Sequence, residues 1–172
     1  MPVHYINRKG QTYYLHHKET KTGRQNYFFS MSKEGKLVEE IPKGYEIYEN
    51  PNSRVFLRKI KPKIIKDSEK SIVENGLKKF SDLKFYVVDI KGNTISIFTP
   101  DQDIDGLIEI MKSGSILPVK SNIEQVLGNV ATYSPSMQFV LIDEEKRIFI
   151  TKRFCYLGSV DDWIEIGEPD KL

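Results

Sequence analysis

Cysteine occurs once, as Cys155, so the chain can close no internal disulfide and cannot build a zinc site of the paired-cysteine kind. Tryptophan also occurs once, as Trp163, and the three histidines, His4, His16 and His17, all fall within the first 17 residues. Long apolar runs are missing too. Runs such as Phe139-Val140-Leu141-Ile142 span a few residues, against the roughly 20 that a membrane-crossing helix needs. No transmembrane helix and no membrane partner are expected. Met1-Pro2-Val3-His4-Tyr5 lacks the apolar stretch of a secretory signal, which makes cytoplasmic localisation the expectation. Gly-rich phosphate loops, paired hydrolase motifs, internal repeats and low-complexity runs are also absent. With 172 residues, 39% of them hydrophobic, the chain has material for one core or two small ones.

The net charge of +2 conceals a division. Residues 1 to 66 carry 14 Lys and Arg against 6 Glu, a net of +8, whereas residues 67 to 172 carry 12 against 18 Asp and Glu, a net of −6. Such asymmetry suits an anionic partner, and equally an acidic surface on another protein or on a second copy of the chain.

Residues 12 to 18 and 26 to 31 are rich in aromatic and β-branched side chains and read as strands. The loop between them contains Gly23, which suits a hairpin. Tyr45 to Tyr48 and Arg54 to Ile60 form a second strand pair around Glu49-Asn50-Pro51-Asn52-Ser53. Lys61-Pro62-Lys63 interrupts the pattern, because proline cannot donate to a ladder. The expected organisation is a basic β-rich module over 1–61 and an acidic α+β domain over 67–172. In the second, a helix capped by Asp67 or Ser68 runs to Phe80, and hairpins pair 84–90 with 94–99 and 137–142 with 147–153. Short helices are expected over 103–112, with Gly114 beyond its end, and over 121–128. The fold class is therefore α+β: an N-terminal antiparallel β meander, then a domain of antiparallel hairpins and short helices.

Two constellations bear on chemistry. Asp101-Gln102-Asp103-Ile104-Asp105-Gly106, with Ile108 and Glu109 behind it, resembles the front of an EF-hand loop, which implies Ca²⁺ held by Asp101, Asp103 and Asp105. Lys112 stands where the closing bidentate Glu belongs, and a strand precedes the loop in place of a helix. The simpler reading, preferred because it needs no missing ligand, is that Asp101 or Asp103 caps the helix and the other carboxylates favour its positive end. The second constellation is the interleaving of Tyr13, Tyr14, Tyr27, Phe28 and Phe29 with cations, the composition of a sheet that stacks bases and holds phosphates. A small β module also needs aromatic residues as core, and adjacent Phe28-Phe29 must place one ring on each face. Adjacent His16 and His17 likewise point apart, which leaves His4 with His16 as the remaining cross-strand pair. Cys155 lies in a strand-like stretch, where an inert thiol is the default.

Gly10-Gln11-Thr12-Tyr13-Tyr14 with Thr22-Gly23 resembles the second strand and turn of a WW domain. The first signature tryptophan is missing and Phe28-Phe29 stands where the ligand-binding aromatic belongs, so proline-motif recognition does not carry over. Tyr27-Phe28-Phe29-Ser30, the stretch from Ile41 to Pro51, and Gly158-Ser159-Val160-Asp161-Asp162-Trp163 resemble phrases of hypothetical bacterial proteins of similar layout. That resemblance spans most of the chain and implies no activity. The leading expectation is a non-catalytic binding protein whose basic module engages nucleic acid or another polyanion through Arg8, Lys9, Arg24, Arg54, Arg58 and Lys59. A structural or assembly protein that self-associates through complementary charge, and an enzyme of unknown class, are the alternatives.

Overall fold

A computed structural model describes residues 1–114, 122–157 and 160–172. Gly158 and Ser159 of the last bacterial-like phrase, and Ser121 at the start of the expected third helix, lie outside the described residues. The fold is α+β, mostly β, with antiparallel pairing throughout the described sheets. No described helix is long and apolar enough to cross a membrane. The chain divides into two compact units: Met1–Lys61 with Gln125–Val130, and Pro62–Glu124 with Ala131–Leu172.

In the first unit, β1 (His4–Ile6), β2 (Thr12–Glu19) and β3 (Gln25–Ser30) form a sheet in that order, and β4 (Tyr45–Glu49) pairs with β5 (Val55–Lys59) in a separate two-stranded sheet. The expected meander is thus split in two. Gly23, at φ +74°, makes the turn after β2, where the Thr20 hydroxyl donates to the Arg24 carbonyl at 2.9 Å. Beyond β1, the far edge of β2 is completed by residues 36–38: the His17 amide donates to Lys36 O and the Val38 amide to Leu15 O. Leu15, with 0% exposure, and Val55 are the buried apolar centre of this unit. The turns preceding β2 and β5 are clamped together. Asn7 Nδ2 donates to Ser53 O at 2.7 Å, Arg8 Nε to Ser53 Oγ at 2.9 Å, and the Tyr5 hydroxyl to Glu49 Oε2 at 3.0 Å. Ser53 is held there in the left-handed region, at φ 65°, which non-glycine residues adopt only when the surroundings compel it.

The second unit is built on a sheet of β6 (Val87–Lys91), β7 (Thr94–Pro100), β8 (Tyr133–Asp143), β9 (Ile148–Leu157) and β10 (Val160–Glu165), each paired with its sequence neighbour. One face carries Ile95, Ile97, Leu141 and Phe149, which pack with Ile65 and with Val73 of α1 (Asp67–Phe80). Three differences from expectation have local causes. β8 starts four residues early because Pro135 sits at a register shift opposite Phe98, the kind of position where a missing amide is tolerated. β10 has Val160, Trp163 and Ile164 as strand formers, but Asp161-Asp162 interrupts them, and as an edge strand it benefits from charge that discourages further pairing. Helix α1 is capped neither by Asp67 nor by Ser68: the Glu69 carboxylate reaches back to accept the Lys66 amide at 2.7 Å.

The same Glu69 is 6% exposed and ties the helix to the β8–β9 turn. Arg147 donates to both its oxygens, at 2.7 and 2.6 Å, and to Ile64 O at 3.1 Å. The hydrogen bonds from Arg147 hold the Glu69 carboxyl below its ordinary pKa, against the opposing effect of burial. Helices α2 (Ile104–Gly114) and α3 (Ile123–Val130) complete the chain, and Gly114 falls inside the last turn of α2 rather than beyond it.

Candidate nucleic-acid interface

Period-two alternation sorts the β1–β2–β3 sheet into two faces. Directly opposed residues share a face, so the registers His4↔Tyr14, Tyr14↔Ser30, His16↔Phe28 and Lys18↔Asn26 define one surface. Leu15 and Phe29 belong to the other. Phe28 and Phe29 therefore separate as their adjacency requires: Phe29 lies opposite buried Leu15, and Phe28 is 41% exposed.

Beneath Phe28 lies His16, stacked on it with ring centroids 5.4 Å apart and planes 13° from parallel. His16 is itself buried. Its Nε2 bonds to the Ser32 carbonyl at 3.0 Å, and because a carbonyl can only accept, Nε2 carries the proton. Gly35 closes over the ring, where a Cβ would stand 3.4 Å from His16 Nδ1. This fixed imidazole holds the Phe28 ring in place from below. Around the pair is an open groove of about 440 Å³, to which Lys18 and Lys36 contribute cations and Glu19 and Glu34 carboxylates. Further along the face, Lys33 Nζ lies 5.4 Å from the centroid of the Tyr14 ring, and His4 is tilted against Tyr14 at 6.4 Å. A planar, sequence-tolerant partner for Phe28 with anionic groups beside it is the ligand chemistry this surface suits.

The cations singled out from the sequence do not share one surface. Arg8 is committed to the turn clamp through Ser53 Oγ and Glu49, whose carboxylate lies 3.8 Å from its Nε. Lys9 stands in the same turn, and Arg54 follows Ser53, so these three occupy one end of the unit. Arg24 is in the turn at the other end of β2, whose eight residues span about 27 Å. Arg58 and Lys59 are neighbours in β5 and point to opposite faces. Arg58 pairs with Glu46 at 2.8 Å, and its guanidinium lies 4.1 Å from the Tyr48 ring, which is stacked near exposed Phe56. Lys18 is one of the cations interleaved with the aromatic residues but is not among the six singled out, and Lys33 and Lys36 are not picked out at all. Lys18 shares the period-two face of Tyr14 and His16, whereas Lys33 and Lys36 reach it through a loop with no periodicity.

The other expected groups are dispersed. His4 faces Tyr14 in register rather than pairing with His16. Asp103 Oδ1 accepts the Gly106 amide at 3.0 Å, a cap on α2, and a Cβ at Gly106 would meet Asp103 Oδ2, so a side chain there would have to displace the capping carboxylate. Asp105 pairs with Lys84 at 2.8 Å, and the hydrogen bond raises the pKa of Lys84. Among the described residues no three His, Cys, Asp or Glu side chains come together as a metal site. Cys155 is a half-buried free thiol opposite Asp162. Comparison of the chain with protein-family models, curated proteins and solved structures gives no match.

Proposed function

We propose that the N-terminal unit is a non-catalytic binding module for single-stranded nucleic acid, with a base stacked on Phe28 and phosphates held by Lys18, Lys33 and Lys36. The observation that carries this reading is the exposed Phe28 ring, held from below by buried His16 and bordered by the groove cations. Electrostatics support it. Residues 1 to 61 carry 12 Lys and Arg against 6 Glu, a net of +6, and two of those carboxylates are taken up internally, Glu46 by Arg58 and Glu49 by the turn clamp. Arg24, Arg54 and Lys59, which line no part of the groove, then add to the attraction at long range rather than by contact.

Fluorescence anisotropy with a labelled oligothymidine, titrated at several salt concentrations, tests the proposal. Three phosphate contacts predict a slope of log K against log salt of about −2 for a single strand. Phe28→Ala should weaken binding by ~1–3 kcal/mol, the usual worth of a base-stacking ring. Absence of saturable binding at low ionic strength would sink the proposal. Binding that heparin competes away and that Phe28→Ala leaves unchanged would sink base stacking and leave only a general polyanion site.

A further inference from the structure

The β4–β5 hairpin sorts into two faces by the same alternation as the first sheet. Glu49↔Val55 and Ile47↔Leu57 share the face of buried Val55, whereas Tyr48↔Phe56 and Glu46↔Arg58 are opposed on the other. That second face is lined with flat groups. The Arg58 guanidinium lies 4.1 Å from the Tyr48 ring centroid and is fixed there by its 2.8 Å bond to Glu46. Beside Tyr48 stands the Phe56 ring, with centroids 6.4 Å apart and planes 30° from parallel, and Phe56 is 44% exposed. A single exposed apolar side chain calls for no explanation. A row of three planar groups on one strand face is the arrangement on which successive bases stack. Its place relative to Phe28 follows from the core. Tyr27 and Tyr45 belong to the inward faces of their sheets, with Leu15 and Val55 respectively, and their rings meet with centroids 6.4 Å apart. Phe28 and Phe56 therefore both point outward. Cα atoms of β3 and β5 come within 8 Å of each other, closer than the ~10 Å between sheets packed face to face, so these strands meet edge to edge and their outward faces adjoin.

We propose that Phe56, backed by Tyr48 and Arg58, is a second base-stacking position, and that one single strand crosses from β3 to β5 with one base on Phe28 and another on Phe56. This rests on the nucleic-acid reading of the N-terminal unit and extends it from a single stacked base to a strand that spans two sheets. Because Glu46 answers the charge of Arg58, the second position adds stacking and no further phosphate contact. Its signature is affinity without added salt dependence.

Anisotropy titrations of the full-length chain with a labelled oligothymidine of ~12 nucleotides, a length within the range a single small module holds, read the second position directly. One strand should bind per chain. Phe56→Leu keeps an apolar side chain and removes the ring, and should weaken binding roughly 5- to 150-fold while leaving the slope of log K against log salt unchanged. Phe56→Tyr, which keeps a stacking ring, should bind as the wild type does. Phe56 is open to solvent, so an unchanged far-ultraviolet circular dichroism melt certifies that the variants are folded. Binding that Phe28→Ala weakens and Phe56→Leu leaves at the wild-type level overturns the second position and leaves the first standing. Two strands per chain would overturn the crossing, because the rings would then serve separate ligands. Loss of a concentration-dependent dimer in Phe56→Leu, with oligonucleotide binding intact, would assign the face to a second copy and overturn the proposal too. Absence of saturable binding by the wild type overturns both readings together.

Discussion

Truncating Arg147 to alanine is expected to cost the second unit about 3 kcal/mol. The magnitude follows from the contacts. The guanidinium makes a bidentate pair with Glu69 and a further bond to Ile64 O, and the two side chains are 20% and 8% exposed, so the pair is mostly shielded from water. A charged hydrogen bond in such a setting is worth about 1.5–3 kcal/mol. The loss stays below the sum because the Lys66 amide still supports the carboxylate after truncation. Glu69→Gln keeps the shape and part of the bonding and should cost about half as much. Backbone strain enters separately: Arg147 sits at φ 58°, so Arg147→Gly should be about 1 kcal/mol more stable than Arg147→Ala. The pH dependence has a definite sign. The folded-state pKa of Glu69 is lowered, so its contribution is complete above the unfolded value near 4.3 and is lost as pH falls through the depressed folded value. The gap between wild type and Arg147→Ala should therefore narrow in acid. Urea unfolding followed by Trp163, which lies on β10 of the same sheet against Phe154, measures all of this. The reasoning is refuted if Arg147→Ala lies within ~0.5 kcal/mol of wild type, or if its deficit is as large in acid as at neutral pH.

Tyr5→Phe removes the bond to Glu49 and should cost the first unit about 1 kcal/mol at neutral pH, read by thermal unfolding in far-ultraviolet circular dichroism. Burial, then the bond to Glu49, raises the Tyr5 pKa, so the wild type should lose this advantage as pH rises from about 10 through the raised value. Asp103→Ala should cost about 1 kcal/mol as a lost helix cap. Gly106→Ala should be destabilising in the wild type and close to neutral once Asp103 is gone, a coupling that a double-mutant cycle reads. Millimolar Ca²⁺ should leave the wild-type melting temperature unchanged, because Asp103 is engaged by the Gly106 amide and Asp105 by Lys84.

Much of the candidate site is written in alternation. Tyr14, His16 and Lys18 recur at period two, and the adjacency of Phe28 and Phe29 already places one ring on each face. That Phe28 is the exposed ring depends on the tertiary structure, in which Phe28 opposes His16 and Phe29 opposes Leu15. Arg8 shows the converse. In sequence it is a cation between a strand and a turn, indistinguishable from Lys9, and only the meeting of two turns 45 residues apart gives it Ser53 as a partner. Long-range electrostatic pairing has no local signature, and basic residues therefore overstate the number available to a ligand.

The amino-acid sequence by itself determined the antiparallel α+β class, the strand pairs around Gly23 and around Lys91-Gly92-Asn93, and the excess of positive charge in the first third. These depend on side-chain periodicity, turn chemistry and counting, all local properties. Tertiary structure alone decided that the first five strands divide into two sheets, that Glu69 rather than Asp67 caps α1 while anchoring the β8–β9 turn, and that β3 and β5 meet edge to edge. Each of those is a relation between distant segments, and its energy comes from shielding charge or apolar surface that no single segment can cover alone.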